Sequence, residues 1–163
     1  MRLSKSLIIP AFFAAALALN SCNAKVEVNV VRKTGILMDG NQVIPAKPGA
    51  WTGTLDVEYN KDTHLLSYAL VWNNLSGKPT SIGFWGTAAK GYNVPPSAAA
   101  PVPAPIQNIT AGYPGSASAT YFGTVFIDGA AIKEDALYLG EYYIVIKTAA
   151  NPSGEIRGQV ELP

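Results

Sequence analysis

Cysteine, histidine and charged side chains are scarce in this chain of 163 residues. It contains one Cys and one His, charged residues make up 14% of it, and its formal net charge is +1. One Cys excludes an internal disulfide, and one Cys with one His cannot supply a metal site rich in nitrogen and sulfur ligands. The near-neutral charge gives no electrostatic footprint for nucleic acid. We therefore expect neither a nucleic-acid partner nor a metal or other cofactor.

What the chain has instead is apolar residues, glycine and proline. Hydrophobic residues make up 48% of the sequence, which also contains 15 Gly and 12 Pro. This many Gly and Pro residues disfavour long uninterrupted helices. The length fits a single domain with one core.

The N-terminal segment has the pattern of a targeting peptide. Arg2 and Lys5 precede an almost wholly apolar run over residues 7–19. This run is too short to cross a bilayer, whose hydrocarbon core needs ~20 helical residues. We therefore interpret residues 1–21 as a signal peptide.

The end of the apolar run resembles the lipobox of bacterial lipoproteins. Residues 19–22 read Leu-Asn-Ser-Cys, and Cys22 is the sole Cys of the chain. The resemblance implies cleavage before Cys22, acylation of its thiol and stable anchoring in a membrane. Because Asn23 and not Asp follows the Cys, it also implies the outer membrane more than the inner membrane of the cell envelope. The alternative is an ordinary secretory signal in which Cys22 is incidental.

Alternation of apolar and polar residues predicts antiparallel strands after the N-terminus. Turn residues at 60–63 join two of them into a hairpin, and an Asn-Pro-Ser-Gly turn at 151–154 joins the last two. Strands are predicted in 26–30, 51–59, 66–72, 121–127, 142–147 and 156–162, and a short helix in 131–138. The pattern favours an all-β fold, an antiparallel β-sandwich of the immunoglobulin-like or Greek-key type with at most one short helix.

The last predicted strand has the clearest two-sided pattern. Its apolar residues share one face, and Glu155 and Arg157 share the other. We expect this strand to be half-buried and these two side chains to pair on its exposed face. An exposed ion pair contributes ~0–1 kcal/mol, so the pair is interpreted as structural and not catalytic.

A long loop rich in Pro, Ala and Gly covers residues 87–118. Structureless loops of this length are uncommon in compact domains and are either functional or loosely ordered. Trp85 precedes it, and Tyr92 and Tyr113 lie within it. These three aromatic residues are the candidate ligand surface. The other interpretation is an insertion without functional consequence.

The chain resembles the CHRD (chordin-type) domain family. The resemblance is strongest over residues 143–160, where Ala-Asn-Pro-Ser-Gly-Glu-Ile-Arg-Gly-Gln follows a strand, and weaker at 37–45 and 74–77. It implies an extracellular β-rich module over residues 36–163, with residues 22–35 forming the lipidated N-terminus and a linker or first strand. By analogy with relatives, it implies a role in interaction and not in catalysis.

This chain departs from the family at three positions where relatives carry His. The matching residues here are Gly83, Trp85 and Lys147. Glycine has no ligating side chain, the indole N–H only donates, and lysine is a cation at neutral pH. A metal-dependent activity of a His-bearing relative is therefore not transferred to this chain.

No catalytic motif is apparent in the sequence. His64 follows a predicted turn and is interpreted as a solvated residue, and neither a Gly-x-Ser-x-Gly elbow nor a phosphate loop is present. The leading hypothesis is thus a lipid-anchored, non-enzymatic envelope protein that binds a protein or a glycan. Two alternatives stay open: an envelope enzyme, hydrolase or metal-dependent, with a carboxylate-based site, and a structural subunit that docks through the 87–118 loop.

Overall fold

A computed structural model describes residues 29–163 of the chain. The predicted signal peptide, Cys22 and the first part of the predicted early strand lie outside the described residues. Within residues 29–163 the fold consists of eight strands, one short α-helix and one 3-10 turn, Gly40–Gln42. The strands are β1 Val30–Asp39, β2 Thr52–Asn60, β3 Leu65–Asn73, β4 Pro79–Trp85, β5 Gln107–Ile109, β6 Ala119–Phe126, β7 Tyr143–Thr148 and β8 Ile156–Gln159, and the helix is α1 Glu134–Tyr138.

All strands pair antiparallel in the order β5-β4-β7-β8-β1-β2-β3-β6. The sheet divides where β8 meets β1, because these strands share a single pairing, Asp39 with Arg157. We call β1-β2-β3-β6 the front half and β5-β4-β7-β8 the back half. At the opposite seam, the Gln107 side-chain nitrogen donates to the Thr124 carbonyl at 3.4 Å. The result is a nearly closed, barrel-like sandwich, which confirms the predicted all-β antiparallel class.

The core lies between the two halves and follows from the alternation in the sequence. On β3, every second side chain is buried, from Leu66 at one end to Trp72 at the other. Inward residues of β2, β4 and β7 complete the same cluster. On β8, Gly158 brings the two halves close together, because a Cβ there would lie 2.5 Å from Met38 Cγ.

Several predicted elements are confirmed at the residue level. The 60–63 turn joins β2 to β3, and β6 and β7 match the predicted strands. His64 is exposed, has a left-handed backbone (φ +54°), and its Nδ1 lies 3.4 Å from the Tyr59 hydroxyl. Residues 30–35, which the sequence left as linker or first strand, belong to β1.

The 87–118 loop is attached to the sandwich at several points. It includes β5, which pairs with β4. Near its end, the Trp72 indole donates to the Ser116 carbonyl at 3.0 Å, and the Tyr113 hydroxyl donates to the Pro79 carbonyl at 3.4 Å. Side-chain contacts of this kind explain how a segment so rich in Pro and Ala takes a defined path.

Candidate functional site

The first part of the long loop lies across the outer face of the back half. The Val94 amide donates to the Tyr143 hydroxyl at 3.3 Å, and the Gln159 side chain donates to the Ala88 carbonyl at 3.1 Å. Ala88 and Val94 pack with Tyr143 and Val145 in a second, smaller apolar cluster outside the main core. The outer face of β7 and β8 is therefore largely covered, and Lys147 is the one residue of these two strands that is partly exposed.

This cover makes one prediction about β8 wrong. The two faces of the strand do alternate as expected, but Glu155 is 0% exposed and Arg157 is 1% exposed. The predicted half-buried strand is buried on both sides, because the loop some 60 residues earlier covers Arg157 and Gln159, and Ser76 and Thr148 enclose Glu155. The sequence pattern of β8 carries no information about these distant segments. Glu155 and Arg157 also do not pair with each other within the described chain.

Glu155 is held by hydroxyl and amide donors. The Ser76 amide and hydroxyl donate to its two oxygens at 2.5 Å and 2.6 Å, and the Thr148 hydroxyl donates to Oε2. Burial raises the pKa of Glu155, but the hydrogen bonds from Ser76 and Thr148 outweigh burial and hold this pKa below its usual value. This carboxylate therefore joins the β3–β4 turn to the β7–β8 hairpin.

Arg157 is surrounded by neutral partners. Its guanidinium donates to Asn93 Oδ1 at 3.1 Å and to Gln159 Oε1 at 2.9 Å. Its carbon lies 3.6 Å from the centroid of the Tyr143 ring, which is a cation–π contact. Burial lowers the pKa of Arg157, because a charged guanidinium is less stable away from water.

The three positions where relatives carry His converge on the outer face of the back half. Trp85 is half-buried and lies over Gly83, where a Cβ would overlap the indole Nε1. Lys147 Nζ lies 5.2 Å from the centroid of the Trp85 ring. The Tyr143 ring is nearly parallel to the Trp85 ring, and the two ring centroids are 6.3 Å apart. The Trp85 ring and the Lys147 ammonium, which lies over it, therefore occupy positions at which the resemblance to the family leads one to expect histidine.

The three predicted ligand residues differ in their surroundings. Trp85 lines a cavity of about 210 Å³ together with Asn93 and Lys147. Tyr92 is 69% exposed and is not among the residues lining that cavity, whereas Tyr113 is half-buried and packs against the main core. The ligand surface itself stays a prediction.

A larger concave surface lies on the outer face of the front half. This groove has a volume of about 630 Å³, within the usual range for small-ligand sites. Its floor is formed by the small residues Ser67 and Ala69 of β3. Its rims include Arg32, Asp56, Glu58, Phe122 and Thr124.

The strand register determines the spacing of groups in the groove. Asp56, Ala69 and Phe122 are direct neighbours across β2, β3 and β6. Neighbouring strands are ~4.8 Å apart, so the strands that carry Asp56 and Phe122 are roughly 10 Å apart. The methyl group of Ala69 lies between the carboxylate and the phenyl ring. Phe122 is 73% exposed, so its ring is open to a ligand.

The charged groups of the groove already form contacts with other groups of the protein. Arg32 Nε lies 2.6 Å from Glu58 Oε2, with 64% and 44% of these two side chains exposed. Asp56 accepts a hydrogen bond from the Gly35 amide at 2.7 Å. These contacts orient both carboxylates on one face of β2 and leave them accessible.

Sequence reasoning did not select the groove residues as a site. The signal was present, because Asp56 and Glu58 fall on the polar parity of the 51–59 pattern. What was missing was the pairing of β3 with β6, which places Phe122 opposite Ala69. Such a long-range pairing does not follow from local alternation.

Within residues 29–163, no group of three or more His, Cys, Asp or Glu side chains is arranged to hold a metal ion. Nor does any helix there have the length and apolarity to cross a membrane.

Comparison with known protein families supports the resemblance seen in the sequence. The CHRD domain model matches residues 34–160, which is most of the chain and all eight strands except the first residues of β1. Searches of curated proteins and of solved structures found no match. On the strength of the family match and the antiparallel sandwich, this chain belongs to the CHRD domain family.

Proposed function

We propose that the protein is anchored in the cell envelope by lipid on Cys22, with the outer membrane favoured. We further propose that its CHRD domain is a non-catalytic module that binds a glycan or a protein of the envelope. The observation that carries the binding function is the groove of about 630 Å³ on the front half. Of the two partner classes, the chemistry of the groove favours a glycan.

The argument for a glycan rests on the groups that the register sets side by side. A sugar ring presents C–H groups on its faces and hydroxyls at its edge. An exposed aromatic ring such as Phe122 can stack on the face, while carboxylates such as Asp56 and Glu58 accept hydrogen bonds from the hydroxyls. The small floor residues Ser67 and Ala69 leave room for the ring.

The test is binding of the full chain to a panel of bacterial envelope polysaccharides and soluble peptidoglycan fragments. We expect Phe122→Ala to weaken binding by about tenfold, the value of one lost aromatic contact of roughly 1.5 kcal/mol. Phe126→Ala is the matched control, since Phe126 lies on the same strand, is 59% exposed and does not line the groove. Equal affinities of the two variants would contradict the groove as the site.

A protein ligand is distinguished by crosslinking in the native cell. If no polysaccharide binds and a near-stoichiometric protein is crosslinked in a Phe122-dependent manner, the partner is a protein and the glycan preference is wrong. If the crosslink depends instead on residues 98–105 of the long loop, the chain is a docking subunit.

The lipid anchor has its own test. Intact mass measurement of the protein from its native membrane is expected to show a chain beginning at Cys22 with added acyl groups. Cys22→Ser should lose this mass increment and leave the membrane fraction. An unmodified Cys22 in the mature chain would contradict the proposal.

One observation favours an enzymatic alternative. Asp56 and Glu58 lie two residues apart on one strand face with their backbones roughly 7 Å apart, so two carboxylates project side by side into the groove, as a glycosidase mechanism requires. If a bound glycan is cleaved, Asp56→Asn should abolish turnover, whereas Asp62→Asn, in the β2–β3 turn, should not. Binding without turnover supports the non-catalytic function.

A further inference from the structure

A separate cavity lies beside β8, on the side of the molecule away from the groove. It has a volume of about 310 Å³ and lies between the chain segment that follows β1 and the start of the long loop. Its lining includes Asn41, Gln42, Ala46, Lys90, Arg157 and Gln159. Among the described residues that line it, none is acidic.

Arg157 brings a buried positive charge to this cavity. The residue is 1% exposed, and no carboxylate of residues 29–163 lies within ion-pair distance of it. Burial of a charged group is unfavourable unless the group is paired and hydrogen-bonded. Its contacts with Asn93, Gln159 and the Tyr143 ring stabilise the cation without neutralising it.

The guanidinium, which lines the cavity, has donor capacity beyond these two contacts. It has five N–H donors, and two side-chain oxygens accept from it in the described chain. The Gln159 side-chain oxygen accepts from Arg157, while its nitrogen donates to the Ala88 and Gly140 carbonyls. These contacts keep the guanidinium in place.

Lys90 supplies a second positive charge at the rim. Its Nζ lies 2.7 Å from Glu161 Oε1, and 66% and 42% of these side chains are exposed. Exposed ion pairs contribute little to stability, so Lys90 can exchange Glu161 for another anion at small cost. Asn41 and Gln42 also line the cavity, and the Gln42 side-chain nitrogen already donates to the Leu37 carbonyl at 2.7 Å.

We propose that this cavity binds an oxyanion, a carboxylate or a phosphate group, through the Arg157 guanidinium with Lys90 at its entrance. Planar guanidinium groups are well suited to carboxylate and phosphate oxygens. The proposal concerns a site distinct from the groove and does not depend on the glycan function.

The probes are inorganic phosphate and acetate, titrated separately into the full chain in neutral detergent at constant ionic strength maintained with sodium chloride. Binding is measured by calorimetry or by amide chemical shifts of residues 41–44, 46 and 90–91. We expect saturable one-to-one binding of at least one probe. Phosphate alone would identify a phosphate source, and acetate alone would identify a carboxylate source.

Three variants test the location without relying on loss of the buried arginine. Ala46→Phe fills the cavity from an exposed position and should abolish binding. Lys90→Gln should weaken binding by about fivefold, the effect of one exposed charge. Lys147→Gln removes a cation from the other cavity of the same half and should leave affinity unchanged.

Arg157→Gln, once shown to fold, tests the role of the guanidinium charge, and this variant should not bind either probe. The proposal is overturned if neither probe binds. It is also overturned if the response is not saturable and is the same in the wild type and in Ala46→Phe, since salts act on proteins without a specific site. An equal loss in Lys147→Gln and Lys90→Gln would likewise overturn it, because it would show a general charge effect.

Discussion

The buried carboxylate of Glu155 allows a quantitative test of what holds the hairpin of β7 and β8 to the rest of the sandwich. Glu155→Gln keeps the size of the side chain and removes its charge. Three donor groups, from Ser76 and Thr148, then face an amide in place of a carboxylate. Hydrogen bonds to charged groups are worth ~1.5–3 kcal/mol and neutral ones ~0.5–1.5 kcal/mol. With partial relief of charge burial, we expect a loss of about 2–3 kcal/mol in the free energy of unfolding.

Thr148→Val completes a double-mutant cycle with this change. Alone, it removes one donor to the carboxylate and should cost about 1.5–3 kcal/mol. In the Glu155→Gln background the same substitution should cost less, which gives a coupling of about 1–2 kcal/mol. The assay is urea unfolding at neutral pH, followed by tryptophan fluorescence.

The pH dependence gives an independent check of the same interaction. Because the folded-state pKa of Glu155 is lower than its unfolded-state value of about 4.3, its contribution is complete above that value. It is lost as the pH falls through the folded-state pKa. The wild type should therefore lose more stability on acidification than Glu155→Gln. The pKa of Asp128 is also lowered, by hydrogen bonds from the Ile132 and Ala130 amides, but both proteins share this effect.

Two results would refute this reasoning. One is an equal cost of Thr148→Val in both backgrounds, which would mean that the hydroxyl and the carboxylate do not interact. The other is an identical acid dependence of the wild type and Glu155→Gln. Either result would show that Glu155 is not stabilised as a carboxylate by these donors.

Two further substitutions test the outer face and the long loop. Gly83→Ala should displace the Trp85 indole, shift its fluorescence and lower the free energy of unfolding by ~1–3 kcal/mol through overpacking. Gly77→Ala is the control: a Cβ there meets nothing within 4 Å, so the Trp85 fluorescence should stay unchanged. Trp72→Phe should remove the donor to the Ser116 carbonyl, cost ~1 kcal/mol for that bond and speed proteolysis near Ser116. An unshifted spectrum in the first case, or unchanged cleavage in the second, would contradict these contacts.

The residues of β2 and β3 show why much of the fold could be predicted. The residues of β2 alternate between apolar and polar, every second residue from Leu66 to Trp72 on β3 is large and apolar, and the turn between the strands has polar residues of suitable chemistry. Strand alternation and turn preference are local properties, because they depend on the pleat and on backbone angles of neighbouring residues. The same reasoning located α1 and the Asn-Pro-Ser-Gly turn before β8.

The candidate site was much less accessible to the same reasoning. The groove needs β6 beside β3, so that Phe122 and Asp56 stand on either side of Ala69. These residues are far apart in sequence, and no periodicity links them. The aromatic residues chosen from the long loop, Tyr92 and Tyr113, were selected by composition, which does not say where each side chain lies.

The sequence by itself determined the strand pattern, the two-faced character of β8 and the resemblance to the CHRD family, because each depends on residues that are neighbours along the chain. Only the tertiary structure decided that both faces of β8 are buried. Asn93 and Ala88 come from a loop that crosses the outer face, and they bring partners to Arg157 and Gln159. A polar strand face can be exposed or covered with the same sequence, since solvent exposure depends on what the rest of the chain places over it.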